Sequence, residues 1–309
     1  MLPAMFCGRC GEKNPDINRF CFECGARLMS PRMGNEGPLV DEVSARLQGL
    51  GEMPEPSLDY PDDLARTISG SDGATAVLVP AGFFWMGSHK EKKDEKPHRI
   101  VYLDSYYIDE SPVTNGQYLH FLEKSGHQKP SYFYARKAEA DWEKHPVTFV
   151  SWDDAQAYAK WAHRRLPTEA EWEKAARGVD GRIWPWGNTD PTDSEKAWGQ
   201  FGQEDSLPVA VGSFPDGASP VGALDMAGGV WEWCQDQYDQ FFYPKSAPRN
   251  PTCEEGDPRY RVARGGACNY SAFTARAAFR GWNLPSTRAN CYGFRCAVDA
   301  ARFRKKSAV

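Results

Sequence analysis

From Thr75 onward the chain moves between two hydrophobic periods. The stretch "AVLVPAGFFWMGS" is an apolar run broken by Pro80-Ala81-Gly82 and resumed by Phe83 to Met86, which predicts a hairpin. "HRIVYLDSYYIDESPVT" alternates again and predicts further strand. Three helical periods follow, each with its own start signal. "TNGQYLHFLEKSG" opens at a Thr114 or Asn115 cap and stops at Gly126. "SWDDAQAYAKWAHRR" has Ser151 and Asp154 spaced as a capping box, and "TEAEWEKAARG" has Thr168 and Glu171 so spaced, with Gly178 as the stop. After Gly178 the pattern is turn-rich and aromatic. These local signals predict an α+β fold with few helices and a long irregular C-terminal half.

Residues 31–74 carry Pro, Gly, Ser and acidic residues around one helical patch, "LVDEVSARLQGL", and read as a linker with a short helix. The organisation expected is therefore a small module over 1–30, a linker over 31–74 and a large domain over 75–305. The size of the chain, 309 residues, fits one large domain with a small companion. Eleven Trp in a chain of mean hydropathy −0.63 point to scattered aromatic anchors rather than long amphipathic elements. The net charge of −5 argues against broad binding of nucleic acid or anionic membrane, and Arg302, Arg304, Lys305 and Lys306 form a short basic tail that reads as solvated. No apolar run reaches the ~18 residues of a membrane span. The opening "MLPAMFCGRCG" has neither a basic n-region nor an apolar core of signal-peptide length, so a cytoplasmic location is expected.

Four of the nine cysteines, Cys7, Cys10, Cys21 and Cys24, form two C-x-x-C pairs ten residues apart, with Gly8, Gly11 and Gly25 at the knuckle turns. Four thiolates so spaced can close a tetrahedral Zn²⁺ site. A segment of this size cannot fold on apolar burial alone, so the metal would supply its folding energy. The segment resembles a zinc ribbon; a structural role or a protein partner is expected for it, with nucleic acid the weaker alternative.

The blocks "LVPAGFFWMGS", "DEKPHRIVYLDSYYIDESPVTNGQYLHFLEKSG", "HPVTFVSWDDAQAYAKWAHRRLPTEAEWEKAARG", "WPWGN", "GALDMAGGVWEWCQD", "RVARGGA" and "GFRCA" resemble, in order, those of the formylglycine-generating enzyme (sulfatase-modifying factor) family over about residues 75–298. The resemblance implies a C-type-lectin-like fold, with helices packed on a small twisted antiparallel sheet. Fold alone does not imply catalysis. The family's enzymes use a copper-binding cysteine pair between the Gly-Gly and the Ala-Ala-Arg of the last block. Here "GGACNYSAFTARAAFR" offers only Cys268 in that interval, and one thiol cannot make a Cu(I) pair. Nor do His89, His98, His120, His127, His145 and His163 show the spacing of the related three-histidine iron sites. The expectation from these residues is a protein that is not an enzyme. In the family, the loop "DMAGGVWEW" holds Ca²⁺, which implies Asp225, Gly228, Val230 and Glu232 as a ligand set.

The last block, about residues 264–297, is similar to the variable region of diversity-generating retroelement proteins, where adenine-directed copying turns AAC-type codons into many residues but never Lys, Glu, Gln, Met or Trp. Between Ala267 and Tyr292 the chain has no Lys, Glu, Gln, Met or Asp. Cys268, Tyr270, Ser271, Phe273, Thr274, Phe279, Gly281, Leu284, Ser286, Thr287, Ala289, Cys291 and Tyr292 all belong to the reachable set, and Trp282 does not. Arg276, Arg280, Pro285, Arg288 and Gly293-Phe294-Arg295 would hold the scaffold. These positions, Trp282 included, predict one exposed face that displays aromatic and hydroxyl side chains to a protein or glycan ligand. The alternatives are a formylglycine-generating-type oxidoreductase acting on a protein cysteine, and a relative of fixed specificity.

Overall fold

A computed structural model describes residues 56–130, 133, 141–191, 199–202 and 207–304, and the backbone of Met5–Phe6 and Lys13–Asn14. The chain divides into two units, Met1–Pro56 and Ser57–Val309. In the first, β1 (Met5–Phe6) pairs antiparallel with β2 (Lys13–Asn14). The four metal-spaced cysteines and the expected linker helix lie outside the described residues.

The second unit begins ahead of Thr75, where the large domain was expected. Strand β3 (Thr67–Ser69) pairs with β4 (Thr75–Val79), and Leu64 is buried with Ala76, Leu78 and Tyr107. Polar residues between short apolar anchors gave this segment the look of a linker, yet its anchors are spent on the outer face of a sheet. That sheet has the order β12-β7-β4-β3, with β7 (Tyr106–Asp109) and β12 (Ala297–Asp299) completing it.

The hairpin expected at Pro80-Ala81-Gly82 does not form. Strand β4 pairs with β3 and β7, whereas β5 (Gly82–Met86) pairs with β6 (Arg99–Leu103) in a separate ladder. The corner between them is held by tertiary contact: the buried Lys174 ammonium donates to the carbonyls of Pro80 (2.7 Å) and Gly82 (3.0 Å). Burial with no carboxylate beside it lowers that amine to about 7.

The three expected helices are present with the expected caps. They are α1 (Asn115–Ser125), α2 (Trp152–Trp161) and α3 (Glu169–Arg177), and each has a complete capping box, Thr114 with Gln117, Ser151 with Asp154 and Thr168 with Glu171. Gly126 ends α1 at φ 68° and Gly178 ends α3 at φ 67°, a region that favours glycine. Every residue of α3 is buried, so this helix runs through the interior rather than along the surface.

The C-terminal half holds more strand than its turn-rich pattern suggested. Strands β8 (Trp231–Tyr238) and β9 (Asp257–Arg264), the longest among the described residues, pair antiparallel and are flanked by β10 (Gly281–Asn283) and by β11 (Tyr292–Gly293), which runs parallel to β8. The sheet separates two apolar clusters. One packs α3 with β4 to β6, the other packs α1 and α2 with Trp231, Trp233 and Phe294. Among the described residues no helix is long and apolar enough to cross a membrane.

Candidate functional site

The arginines of the last block are framework. Arg264, Arg276, Arg280 and Arg295 are all buried, and each meets a buried carboxylate from another part of the chain. Arg280 forks onto Glu169 at 2.7 and 2.8 Å, and Arg264 bridges Glu169 (2.9 Å) and Glu173 (2.6 Å). Arg276 takes both oxygens of Glu95 at 2.9 and 3.0 Å, and Arg295 both of Glu232 at 2.6 and 2.8 Å. Helix α3 supplies two of these acids, Glu169 and Glu173, which face inward four residues apart, one above the other. Burial pushes the Glu173 carboxyl up, but Arg264 and Arg177 outweigh it and hold the group below its usual range. At Glu95 burial prevails over Arg276 and its carboxyl sits above that range. Arg288 differs, since its half-exposed guanidinium reaches the buried Asp154 at 2.8 Å.

The loop after β9 is carried on this frame and tied to the start of β8. Gly228 donates to the Gly265 carbonyl (2.7 Å) and Cys268 to the Gly229 carbonyl (3.0 Å). Trp231 then forms the floor of an aromatic group: Tyr270 stands edge-on to it at 5.5 Å, Phe279 lies 5.8 Å away, and Phe273 meets Phe279 at 5.6 Å. A side chain at 281 would put its Cβ 2.6 Å from the Trp231 ring, so only glycine lets β10 pass over that ring. Lys92 closes one end, its ammonium 4.3 Å above Phe279. A second group lies beyond β10, where Trp282 stacks on Tyr238 at 5.4 Å and meets Tyr260 at 4.5 Å.

Exposure divides the expected face. Tyr270 (40 %), Trp282 (44 %) and Leu284 (47 %) are open to solvent, as is Ser286. Ser271, Phe273, Thr274, Phe279, Gly281, Thr287 and Ala289 are half-buried. Cys268 (1 %), Cys291 (6 %) and Tyr292 (6 %) are buried, and the expectation of a single exposed face including them is corrected. Their burial follows from backbone pairing with the start of β8, where the Cys291 carbonyl accepts from Trp231 (2.7 Å) and Tyr292 lies in β11. The Tyr292 ring packs on Trp233 at 4.8 Å and its hydroxyl accepts from Asn283 at 3.0 Å. Cys291 is raised to about 11, mainly by burial and further by the Cys268 thiol nearby. Trp231, Tyr238, Tyr260 and Lys92 pack against residues of the expected face but were not anticipated, because they lie outside its segment; only the "VWEW" block gave a signal, and it was read for calcium.

The expected calcium set is not assembled. Asp225, Gly228 and Val230 line a cavity of about 20 Å³ to which Glu232 does not contribute. Both Glu232 oxygens are held by Arg295, and Trp172 donates to one of them at 2.8 Å. A guanidinium and an indole N–H therefore already engage both oxygens, and the Glu232 charge is met within the frame rather than turned toward that cavity. Asp225 accepts from the Gly212 amide at 2.7 Å. The expected zinc ligands Cys7, Cys10, Cys21 and Cys24 lie outside the described residues.

Two larger cavities flank the domain. One of about 650 Å³, lined by Tyr102, Arg165, Glu171 and Asp299 among others, takes no wall from residues 264–297, and Arg165 is paired with Glu171 and Asp299 at 2.6 Å each. The other, of about 410 Å³, adjoins the face through Arg276 and Ala278 and holds the His89 and His98 rings 4.8 Å apart. His98 stacks on Trp85 at 4.7 Å, and burial, then Arg177 and His89, lower it to about 4. Its folded value lies below an unfolded value near 6.5, so the unfolded chain binds more protons between the two. The stability this group contributes is full above ~6.5 and is lost as pH falls toward ~4. His98→Phe, which keeps the stack, is expected to lose less stability than the parent between about pH 6.5 and 4; urea midpoints at several pH values measure it.

A model of the sulfatase-modifying factor enzyme 1-like domain family matches residues 63–300, and one of the zinc-ribbon domain matches residues 6–28. Formylglycine-generating enzyme of Streptomyces coelicolor is 33 % identical over 285 residues, covering 72 % of this chain and 89 % of that one. Hercynine oxygenase of Mycolicibacterium smegmatis is 33 % identical over 301 residues, covering 84 % and 69 %. Serine/threonine-protein kinase pkn1 of Chlamydia caviae is 37 % identical over 239 residues, covering 72 % of this chain but only 37 % of that protein, so the chain spans little more than a third of such a relative's length. Among solved structures, PvdO from Pseudomonas aeruginosa (23 % identity, TM-score 0.66) and Treponema denticola variable protein 1 (23 %, TM-score 0.64) share the fold, covering 77 % and 78 % of this chain and the whole of theirs. The relatives correct the expectation that the protein is not an enzyme, because several with this domain are named for catalysis. That expectation failed because a missing copper pair excludes one chemistry only, and the same scaffold carries an oxygenase as well as a formylglycine-generating enzyme. By the extent of these matches the chain belongs to the sulfatase-modifying factor enzyme 1-like domain family, with a C-type-lectin-like fold preceded by a zinc-ribbon domain.

Proposed function

We propose that the domain recognises a protein or glycan ligand through the face formed by Tyr270, Phe279, Trp282, Leu284 and Ser286. The supporting observation is that these side chains stand on a rigid frame of buried Arg–Glu pairs while themselves reaching solvent. Aromatic rings give large contact area at low entropic cost, and serine and threonine beside them give adaptable hydrogen bonds. Tyr270→Ser, Trp282→Ser and Leu284→Ser together are expected to abolish capture on peptide and glycan arrays. Melting temperature should move by only a few degrees, since exposed positions contribute about ±0.5 kcal/mol each. Array binding unchanged by the triple substitution would remove the face from the reading.

The finer reading is that sibling copies of this face are diversified by a retroelement. The composition of residues 268–291 supports it, and Trp282, which adenine-directed change cannot reach, would then be a fixed anchor against Tyr238 and Tyr260. A near-copy of these codons beside a reverse-transcriptase gene, differing where the template has adenine, is the expected genomic observation. Without it the face has fixed specificity.

A second reading, chemistry on a bound protein cysteine, is favoured by the identity to named formylglycine-generating enzymes. The buried Cys268 and Cys291, which lie close enough to act on one another, are the thiols such a reaction would draw on. Mass spectrometry of a cysteine-bearing sulfatase-motif peptide after incubation decides this, with loss of the aldehyde product on Cys268→Ala as the control.

For the N-terminal module the reading is one structural Zn²⁺ held by Cys7, Cys10, Cys21 and Cys24, as the zinc-ribbon match over 6–28 suggests. Metal analysis should give one zinc per chain, lost on Cys7→Ser with Cys21→Ser. Zinc content unaffected by both would remove the assignment.

A further inference from the structure

Beside the face runs "HKEKKDEK", residues 89–96, which by sequence nearly balances four lysines against three acids. Folding withdraws two of the three acids from solvent, while the third, Glu91, stays half-buried. Glu95 is fully buried against Arg276, and Asp94 is buried, accepting from the Tyr238 hydroxyl (2.7 Å) and pairing with Lys92 (3.3 Å). Lys90, Lys93 and Lys96 are left exposed, and among the described residues none of them is ion-paired. The turn is fixed against the face by Lys92, which donates to the Arg280 carbonyl at 3.1 Å while sitting over Phe279. The opposite rim repeats the pattern. Arg288 is half-exposed above the buried Asp154, and Arg261 lies 3.9 Å over Trp152 with its buried Nε lacking a partner, beside the exposed Asp153. A chain with a net charge of −5 thus presents cations on both rims of an aromatic floor.

We propose that the ligand of this face is an acidic polypeptide segment interspersed with aromatic side chains, an assignment that rests on the face being the recognition surface. Acidic groups would meet Lys90, Lys93, Lys96 and Arg261, while aromatic side chains pack on Tyr270, Phe279 and Trp282. Opposed rim charges raise association rate and select register, and apolar contact at the centre supplies the holding energy. A nucleic acid shares the negative charge, but its phosphates repeat along its whole length, and the cations here are confined to two rims of an otherwise acidic protein.

Fluorescence anisotropy on the full chain tests this with labelled peptides of equal length, alternating Glu-Tyr, Lys-Tyr or Glu-Ser, and an oligothymidine strand. The Glu-Tyr peptide is expected to bind at least about tenfold more tightly than the other three and to lose most of that advantage when salt is raised from about 20 to 300 mM. Lys90→Glu, Lys93→Glu and Lys96→Glu together, all on exposed positions, should weaken Glu-Tyr binding by about tenfold or more. Equal affinity for Lys-Tyr, tighter binding of the oligonucleotide, or indifference to the lysine substitutions would overturn the acidic assignment and leave the face standing. Glu-Tyr binding that survives Tyr270→Ser with Trp282→Ser but not the lysine substitutions would instead overturn the face, and the acidic assignment with it.

Discussion

Replacing Glu169 by Ala is expected to destabilise the domain by roughly 3–5 kcal/mol, the cost of removing one partner from a buried ion pair. Glu169 receives three charge-assisted hydrogen bonds, one from Arg264 and two from Arg280, and both guanidiniums are fully buried. Its loss leaves Arg264 with Glu173, but Arg280 with only the carbonyls of Asp94 and Asp239. A buried guanidinium so placed has no carboxylate bonded to it, only the more distant charge of Asp94, and its neighbours must open to hydrate it. Arg280 immediately precedes β10 and its carbonyl accepts from Lys92, so opening there also moves Trp282 and Lys92. Urea unfolding followed by tryptophan fluorescence measures the loss; at about 2–4 °C per kcal/mol for a domain of this size, the melting temperature should fall by roughly 10 °C. A shift under about 1 kcal/mol would mean that the pair is hydrated and that the frame is not what holds the face.

Glu232→Ala is expected to cost a similar roughly 3–5 kcal/mol for the same reason, with a different local consequence. Arg295 would keep the carbonyls of Asp109, Glu110 and Leu224, but no carboxylate, and the Trp172 indole N–H would lose its acceptor. Two buried donors are then left short, and an orphaned donor costs about 1–3 kcal/mol by itself. The parent protein titrated with calcium discriminates the two roles considered for Glu232. If it is frame, millimolar calcium leaves the parent's melting temperature unchanged; a rise of several degrees that Glu232→Ala abolishes would return the residue to a ligand set.

The helices were legible because their signals are local. Thr114, Ser151 and Thr168 each cap a helix through a residue three positions on, a distance at which sequence spacing and space coincide. The last part of the expected linker, residues 57–74, and the hairpin at Pro80 were misread for the opposite reason. Leu64 and the segment Thr67–Ser69 find partners in Tyr107 and β4, and the Pro80 corner depends on Lys174, nearly a hundred residues away in sequence. Strand β8 was hidden because its first half is buried on both faces, so the polar–apolar alternation of a half-exposed sheet is absent from "WEWCQDQY". Within the segment that composition singled out, depth was not legible. Cys268, Cys291 and Tyr292 look no different from Tyr270 as letters, and only their pairing with the start of β8 buries them.

The sequence by itself determined the caps and stops of three helices, the two C-x-x-C pairs of the zinc-ribbon segment, the family blocks in their order and the stations of the last arginines. Each is written in neighbouring residues, where spacing alone sets geometry. Tertiary structure decided which acid each arginine meets, and those partners are far apart in the chain, by 181 positions for Arg276 and Glu95, 111 for Arg280 and Glu169 and 63 for Arg295 and Glu232. It also decided that Asp94 and Glu95 turn inward while the lysines beside them stay in water. A buried guanidinium must find a carboxylate wherever the fold can bring one, whereas a lysine with no such demand on it remains solvated. The charge of this surface is therefore set by which acids the core has consumed.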